Sequence, residues 1–153
     1  LLGCLWRGSS AYLRRNTSLY TLRQAIPDLE EFHPERRIHR TLRGELVASK
    51  SELLISTRLA AHSVPYLYER PLKAADGSVR RPDFTIPVET PDPGFVYWEH
   101  WGMIGDPVYD ASVKRRREWY RKHGFFDRLI ETDEVGGLDV QKIDQIIRDR
   151  LLP

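Results

Sequence analysis

The chain has almost no sulfur chemistry: of its 153 residues one is cysteine and one is methionine. A lone Cys4 excludes an intramolecular disulfide and any zinc site built on several thiolates, and it fits a reducing, cytoplasmic setting. No apolar run approaches the length of a membrane span, so no transmembrane helix is expected. The opening LLGCLW is apolar but short, without a basic start or a clear cleavage site, and is not read as a signal peptide. Glycine-rich phosphate cradles of the GxxxxGK[ST] type are absent, as are HExxH and a serine in a GxSxG setting. These absences remove P-loop nucleotide hydrolysis, zinc peptidase chemistry and serine-elbow hydrolysis from consideration. The formal net charge of +2 permits a nucleic-acid partner without arguing for one.

What is present is clustered. Basic residues gather at Arg36, Arg37, His39, Arg40 and Arg43, and again at Lys114 through Arg117. Either cluster can be a solvated face or a contact for phosphates. Residues 1–44, basic and broken by Pro27 and Pro34, are expected to form an N-terminal arm or the end of a preceding region. Residues 45–153 are expected to form one α/β domain, a length that can bury a core without staples.

Within that domain the expected order is helix, three strands, helix, strand, helix. Ser49 followed by Glu52 is a capping-box pattern, and Leu46, Leu53 and Ala60, with Val47, Leu54 and Ala61, suggest an apolar stripe on a helix over about residues 46–62. YLYERPL, RRPDFTIPV and FVYWEHWGM read as strands; Asp76–Gly77 and the Pro91, Pro93, Gly94 segment read as turns between them. Asp106–Pro107 is an N-cap with proline at the first helical position, and the helix is expected to run to His123 with Gly124 just past its end. RLIETDE is a short strand, and Asp139 caps a last helix whose apolar residues are Val140, Ile143, Ile147 and Leu151. The first three strands can form an antiparallel meander, to which the fourth, arriving through a helical crossover, adds in parallel.

Three acids stand out in this order: Glu52 on the first helix, Asp83 in the second strand and Glu99 in the third. A carboxylate among aromatic strand residues is costly to bury alone, and two on adjacent strands repel unless something positive lies between them. A divalent cation relieves both penalties, and a bound cation also acidifies water and offsets charge on a phosphate. Each acid also has a simpler reading. Glu52 can be the capping partner of Ser49, Asp83 can cap a bend beside Pro82, and Glu99 can pair with Arg116. On the second helix Tyr109, Val113, Arg116 and Tyr120 share one face, so Arg116 is expected to point at the sheet or to snorkel from it, while Lys114 lies off that face. Alternation sends the His100 imidazole to the face opposite Glu99. Trp98, Trp101 and Trp119 are expected to pack.

The ordered set Ser49–Lys50–Ser51–Glu52, Arg81–Pro82–Asp83–Phe84 and Tyr97–Trp98–Glu99–His100–Trp101–Gly102–Met103 resembles the PD-(D/E)xK nuclease superfamily over about residues 45–150. The likeness is to its small prokaryotic domains, some attached to helicases, that carry an SKSE…YPDF…YWEHLGM-like pattern. The resemblance implies a restriction-endonuclease-like core: a mixed four-stranded sheet flanked by helices, αβββαβ plus a C-terminal helix. It implies Asp83 and Glu99 as ligands of Mg2+ or Mn2+, with the main-chain carbonyl of His100 as a third, and Glu52 as support for the metal or its water. The superfamily usually has lysine two residues after the strand acid, where this chain has Trp101. The related domains carry lysine near the place of Arg116. Arginine keeps its proton, so it can orient water or phosphate but not act as a base. The expected function is metal-dependent hydrolysis of DNA phosphodiesters, with Lys50, Lys114 and Arg115 on the backbone. The alternatives are a binding module of the same fold that has lost its chemistry, and a partner-docking domain of a helicase or defence protein.

Overall fold

A computed structural model describes residues 33–89 and 93–152. Cys4, the LLGCLW opening, most of the basic arm and part of the turn at Pro91 lie outside the described residues. Helices α1 (Lys50–Ala61), α2 (Pro107–Lys122) and α3 (Val140–Leu151) surround strands β1 (His39–Arg40), β2 (Leu46–Val47), β3 (Leu67–Tyr68), β4 (Leu72–Lys73), β5 (Val79–Arg80), β6 (Phe84–Val88), β7 (Gly94–Trp101) and β8 (Leu129–Asp133).

The main sheet has the order β3-β6-β7-β8. β3 and β6 are antiparallel, as are β6 and β7, while β7 and β8 are parallel. The fold is thus α/β with a mixed four-stranded sheet. The parallel pair follows from the α2 crossover, because a strand can return in parallel only through a long connection. Both faces are covered. Ile55 and Leu59 of α1 and Ile143, Ile147 and Leu151 of α3 pack on one face, against Phe84, Ile86, Trp98 and Ile130. On the other, Trp119 and Tyr120 of α2 pack on Tyr97 and Leu129. A sheet buried on both sides reads as near-continuous apolar runs, which is why FTIPV is buried at every position.

Local chemistry sets the helix starts. Ser49 Oγ accepts from the Glu52 N–H at 3.1 Å, Asp106 Oδ1 from Tyr109 N–H at 2.8 Å, and Asp139 Oδ1 from Gln141 N–H at 2.8 Å. Each satisfies a donor that has no partner within the helix.

Several expectations need correction. The first helix begins at Lys50, not at residue 46: Leu46 and Val47 pair with Arg40 and His39 as a hairpin. Its buried face is Ser51, Ile55, Ser56 and Leu59 rather than the Leu46/Leu53/Ala60 stripe. YLYERPL is not one strand. Glu69 adopts φ 45°, a left-handed conformation that ends β3, and the chain restarts as β4. The Asp76–Gly77 turn does close a hairpin, but β4 and β5 form a separate two-stranded ribbon, and RRPDFTIPV enters the main sheet only at Phe84. β7 stops at Trp101, leaving Gly102 and Met103 in the following turn.

The boundary expected at residues 44/45 falls inside the β1–β2 hairpin. That hairpin is tied to the sheet: Arg43 donates to the Tyr66 carbonyl at 3.0 Å and lies 4.6 Å over the Tyr66 ring, and Arg37 pairs with Glu69 at 2.6 Å.

Candidate functional site: an acidic pair at the foot of a basic cleft

Asp83 does not lie in mid-strand. It occupies the bend just before β6, partly buried, and its Oδ2 accepts the main-chain N–H of His100 at 2.7 Å. Extending the Phe84↔Trp98 register by one pair sets Asp83 across from Glu99. Residues so opposed have Cβ atoms about 5 Å apart. The ladder between β6 and β7 ends at Phe84 and Trp98, and beyond it the His100 N–H is satisfied by the aspartate side chain rather than by a strand carbonyl.

Glu99 is 1% exposed. Its Oε1 accepts the Tyr120 hydroxyl at 2.8 Å, and its Oε2 lies 3.3 Å from Arg116 Nη1. Burial pushes its pKa up to about 7, against the pull of Arg116 and the Tyr120 hydroxyl. Glu131, its partner in the parallel register, adds a like charge on the same face. Asp83 is held well above the usual carboxylate range, first by burial and then by the negative charges of Glu99 and Glu52; the His100 N–H and Arg116 pull the other way. Two neighbouring carboxyls with raised proton affinity mark a site short of positive charge.

Glu52 stands beside this pair rather than in it. Its Oε2 accepts the Ala48 N–H at 3.0 Å and the Tyr68 hydroxyl at 2.6 Å. The capping role is therefore real, although the reciprocal bond goes to residue 48, not to Ser49. Its charge is nonetheless felt by Asp83.

The His100 imidazole points to the opposite face, as alternation requires. Its Nδ1 lies 2.9 Å from Thr132 Oγ1, which also accepts Trp98 Nε1–H at 2.9 Å; its Nε2 lies 3.3 Å from Glu134 Oε1. The Ser51 hydroxyl donates to the same Glu134 oxygen, so this network ties α1 to the end of β8. Ser51 and His100 hold Glu134 below the usual glutamate range. An ionised carboxylate only accepts, so Nε2 carries the imidazole proton.

Trp101 shares the Glu99 face, but as a packed side chain, 1% exposed. Its Nε1 donates to Glu131 at 2.9 Å, and the guanidinium carbons of Arg116 and Arg117 lie 5.6 and 5.9 Å from its ring centroid. Trp98 and Trp119 are likewise buried.

Above Asp83 opens a cleft of about 510 Å³. Arg80 and Arg81 line one side; Ser112, Arg115 and Arg116 line the other. Lys50 and Lys114 are exposed and do not line it. The structure thus brings Asp83, Glu99, Arg115 and Arg116 together and leaves Lys50 and Lys114 apart. Sequence reasoning missed the bond from Tyr68 to Glu52, for which the sequence carries no signal. Tyr120 is both fully buried and bonded to Glu99, and its place on the Arg116 face is the sequence signal for that contact.

Among the described residues no group of three or more His, Cys, Asp or Glu side chains is arranged to hold a metal ion, and no helix is long and apolar enough to cross a membrane. No protein-family model, curated protein or solved structure matches the chain.

Proposed function

We propose that this domain is a divalent-metal-dependent nuclease module of the PD-(D/E)xK type, with a restriction-endonuclease-like core, acting in the cytoplasm on the phosphodiester backbone of DNA. The observation that carries the reading is the Asp83–Glu99 pair. Glu99 is buried on β7 and Asp83, partly buried in the bend before β6, faces it and lines a cleft that also carries Arg80, Arg81, Arg115 and Arg116. Such a pair is a poor structural choice, because it costs desolvation and repulsion and returns little packing.

The residues fit Mg2+ or Mn2+. Magnesium is commonly held by one or two carboxylates and keeps several waters, so a set of three protein side chains is not required. Asp83 and Glu99 would hold the ion. The main-chain carbonyl of His100 joins them, because a strand residue directs its N–H and C=O toward the same neighbour and the His100 N–H is aimed at Asp83. When bound, such an ion acidifies a water and offsets charge on the phosphate.

The rest falls to the chain's own groups. Tyr120 and Arg116 orient Glu99. Arg116 keeps its proton, so it does not deprotonate water; its role is to hold a phosphate oxygen and offset developing charge. Arg115 lines the cleft, while Lys114 and Lys50, exposed outside it, are available to phosphates further along a bound strand; such contacts give affinity rather than sequence choice. Glu52 supports the site through its charge on Asp83.

One observation favours a second reading, a DNA-binding module without chemistry: both Glu99 oxygens already have partners in Tyr120 and Arg116, and Trp101 fills the space where the resembling domains carry lysine. The test is incubation of plasmid and single-stranded DNA with Mg2+, with Mn2+ and with chelator, beside an Asp83→Ala/Glu99→Ala variant. Metal-dependent cutting absent from the variant supports the nuclease. DNA binding by folded protein without cutting supports the second reading. Neither binding nor cutting refutes both and turns attention to a docking role for a larger parent protein such as a helicase.

A further inference from the structure

The cleft has a second wall that the acidic site does not explain. The β4–β5 hairpin is fastened to α2. Trp119 Nε1 donates to Ser78 Oγ at 2.8 Å, and Asp76 Oδ2 lies 3.5 Å from Lys122 Nζ and 3.4 Å from His123 Nε2. The hairpin therefore holds a set distance from the helix that carries Arg115 and Arg116.

Arg80 sits on the cleft side of this hairpin. Its guanidinium carbon lies 5.6 Å from the Trp119 ring centroid, and among the described residues it donates only to the neighbouring Val79 carbonyl at 3.2 Å. Its Nε is buried and, among the described residues, has no hydrogen-bond partner. Arg116 and Arg117 on the facing helix behave differently: each has a carboxylate within ion-pair distance. A buried donor left without an acceptor is a standing penalty, tolerable where a ligand completes it. Arg80 is also near enough to Glu99 to favour its charged form.

We propose that Arg80 is the hairpin-side phosphate ligand of a nucleic-acid strand lying in the cleft. The strand is then gripped from two walls, by Arg80 on the hairpin and by Arg115 on α2, with Asp83 and Glu99 beneath it. A planar guanidinium with free donors matches the paired oxygens of a phosphodiester, and its place over the Trp119 indole limits where it can swing. The proposal rests on the nucleic-acid reading above and deepens it: it assigns the hairpin a binding role that the acidic pair does not require.

The test is fluorescence anisotropy of a labelled oligonucleotide across a salt series, in chelator so that cutting plays no part, with the wild-type chain and Arg80→Ala, Arg80→Gln and Arg80→Lys. Thermal melts establish that each variant is folded; Gln keeps much of the stem should Ala disturb Trp119. Loss of one phosphate contact predicts roughly ten-fold weaker binding for Ala and Gln, a log–log salt slope shallower by about one, and partial recovery with Lys. A merely structural role would lower melting temperature without changing the slope. If the wild type binds and the folded variants bind as tightly with the same slope, the Arg80 assignment is wrong while the nucleic-acid reading stands. If the wild type does not bind, both fail.

Discussion

Glu99→Gln tests whether the acidic pair is a stored penalty. The variant keeps the shape of the side chain, and its amide oxygen still accepts from Tyr120. The ordinary glutamate value is 4.5, and Glu99 is raised to about 7. The folded state therefore binds the extra proton more tightly than the unfolded chain does. Under linkage this stabilisation is complete below about pH 4.5 and is lost as pH rises through about 7. At ~1.4 kcal/mol for each unit of pH, ionised Glu99 costs about 3 kcal/mol at pH 8 relative to a neutral equivalent. The raised value already contains the pull of Arg116, so loss of that ion pair is not subtracted again. The net expectation is that Glu99→Gln stabilises the fold by about 3 kcal/mol at pH 8 and changes little at pH 5. For a domain of this size that is a rise in Tm of roughly 8–15 °C at the higher pH. Melts of both proteins from pH 5 to 8.5 decide it. A Tm difference that does not change with pH, or a variant less stable at pH 8 than at pH 5 relative to wild type, refutes the argument.

Three further outcomes follow from the same geometry. Saturating Mn2+ at pH 8 raises the Tm of the wild type, by about 2.7 kcal/mol of stability at a hundred times Kd, and leaves Asp83→Ala/Glu99→Ala unmoved; equal shifts would mean the ion binds elsewhere. Thr132→Val strips Trp98 Nε1–H and His100 Nδ1 of their shared partner and costs about 2 kcal/mol in urea unfolding; a change under about 0.5 kcal/mol would show that the network does not hold α1 to the sheet. Trp101→Lys restores the residue type of the resembling domains but replaces a fully packed indole with an amine, so it destabilises by about 3 kcal/mol or more and confers no gain in cutting; a stable, more active variant would overturn the packing role assigned to Trp101.

What was legible in the sequence was local. Ser49, Asp106 and Asp139 announce their helices because capping is settled within three residues. Glu99 and His100 part to opposite faces because a strand alternates, and Arg116 shares a face with Tyr120 because a helix repeats every 3.6 residues. The first-helix stripe failed for a related reason. Its heptad spacing fits a helix equally well in more than one rotation, and α1 turns Ser51 and Ser56 inward, where Glu134 and the Leu53 carbonyl take their hydroxyls.

By itself the amino-acid sequence determined the order of the three helices and of the main-sheet strands between them, the mixed sheet that a helical crossover compels, and the placing of Glu52 on a helix and Glu99 on a strand. Tertiary structure alone decided the rest. The left-handed turn at Glu69 broke the expected strand and freed the β4–β5 hairpin to stand against α2. Pairing of β6 with β7 drew Asp83 to the His100 N–H, and burial raised the proton affinity of both Asp83 and Glu99. Tyr68 reached Glu52 and Tyr120 reached Glu99 across 16 and 21 residues of chain. Such contacts depend on which surfaces meet and how much water is left between them, and no local spacing encodes either.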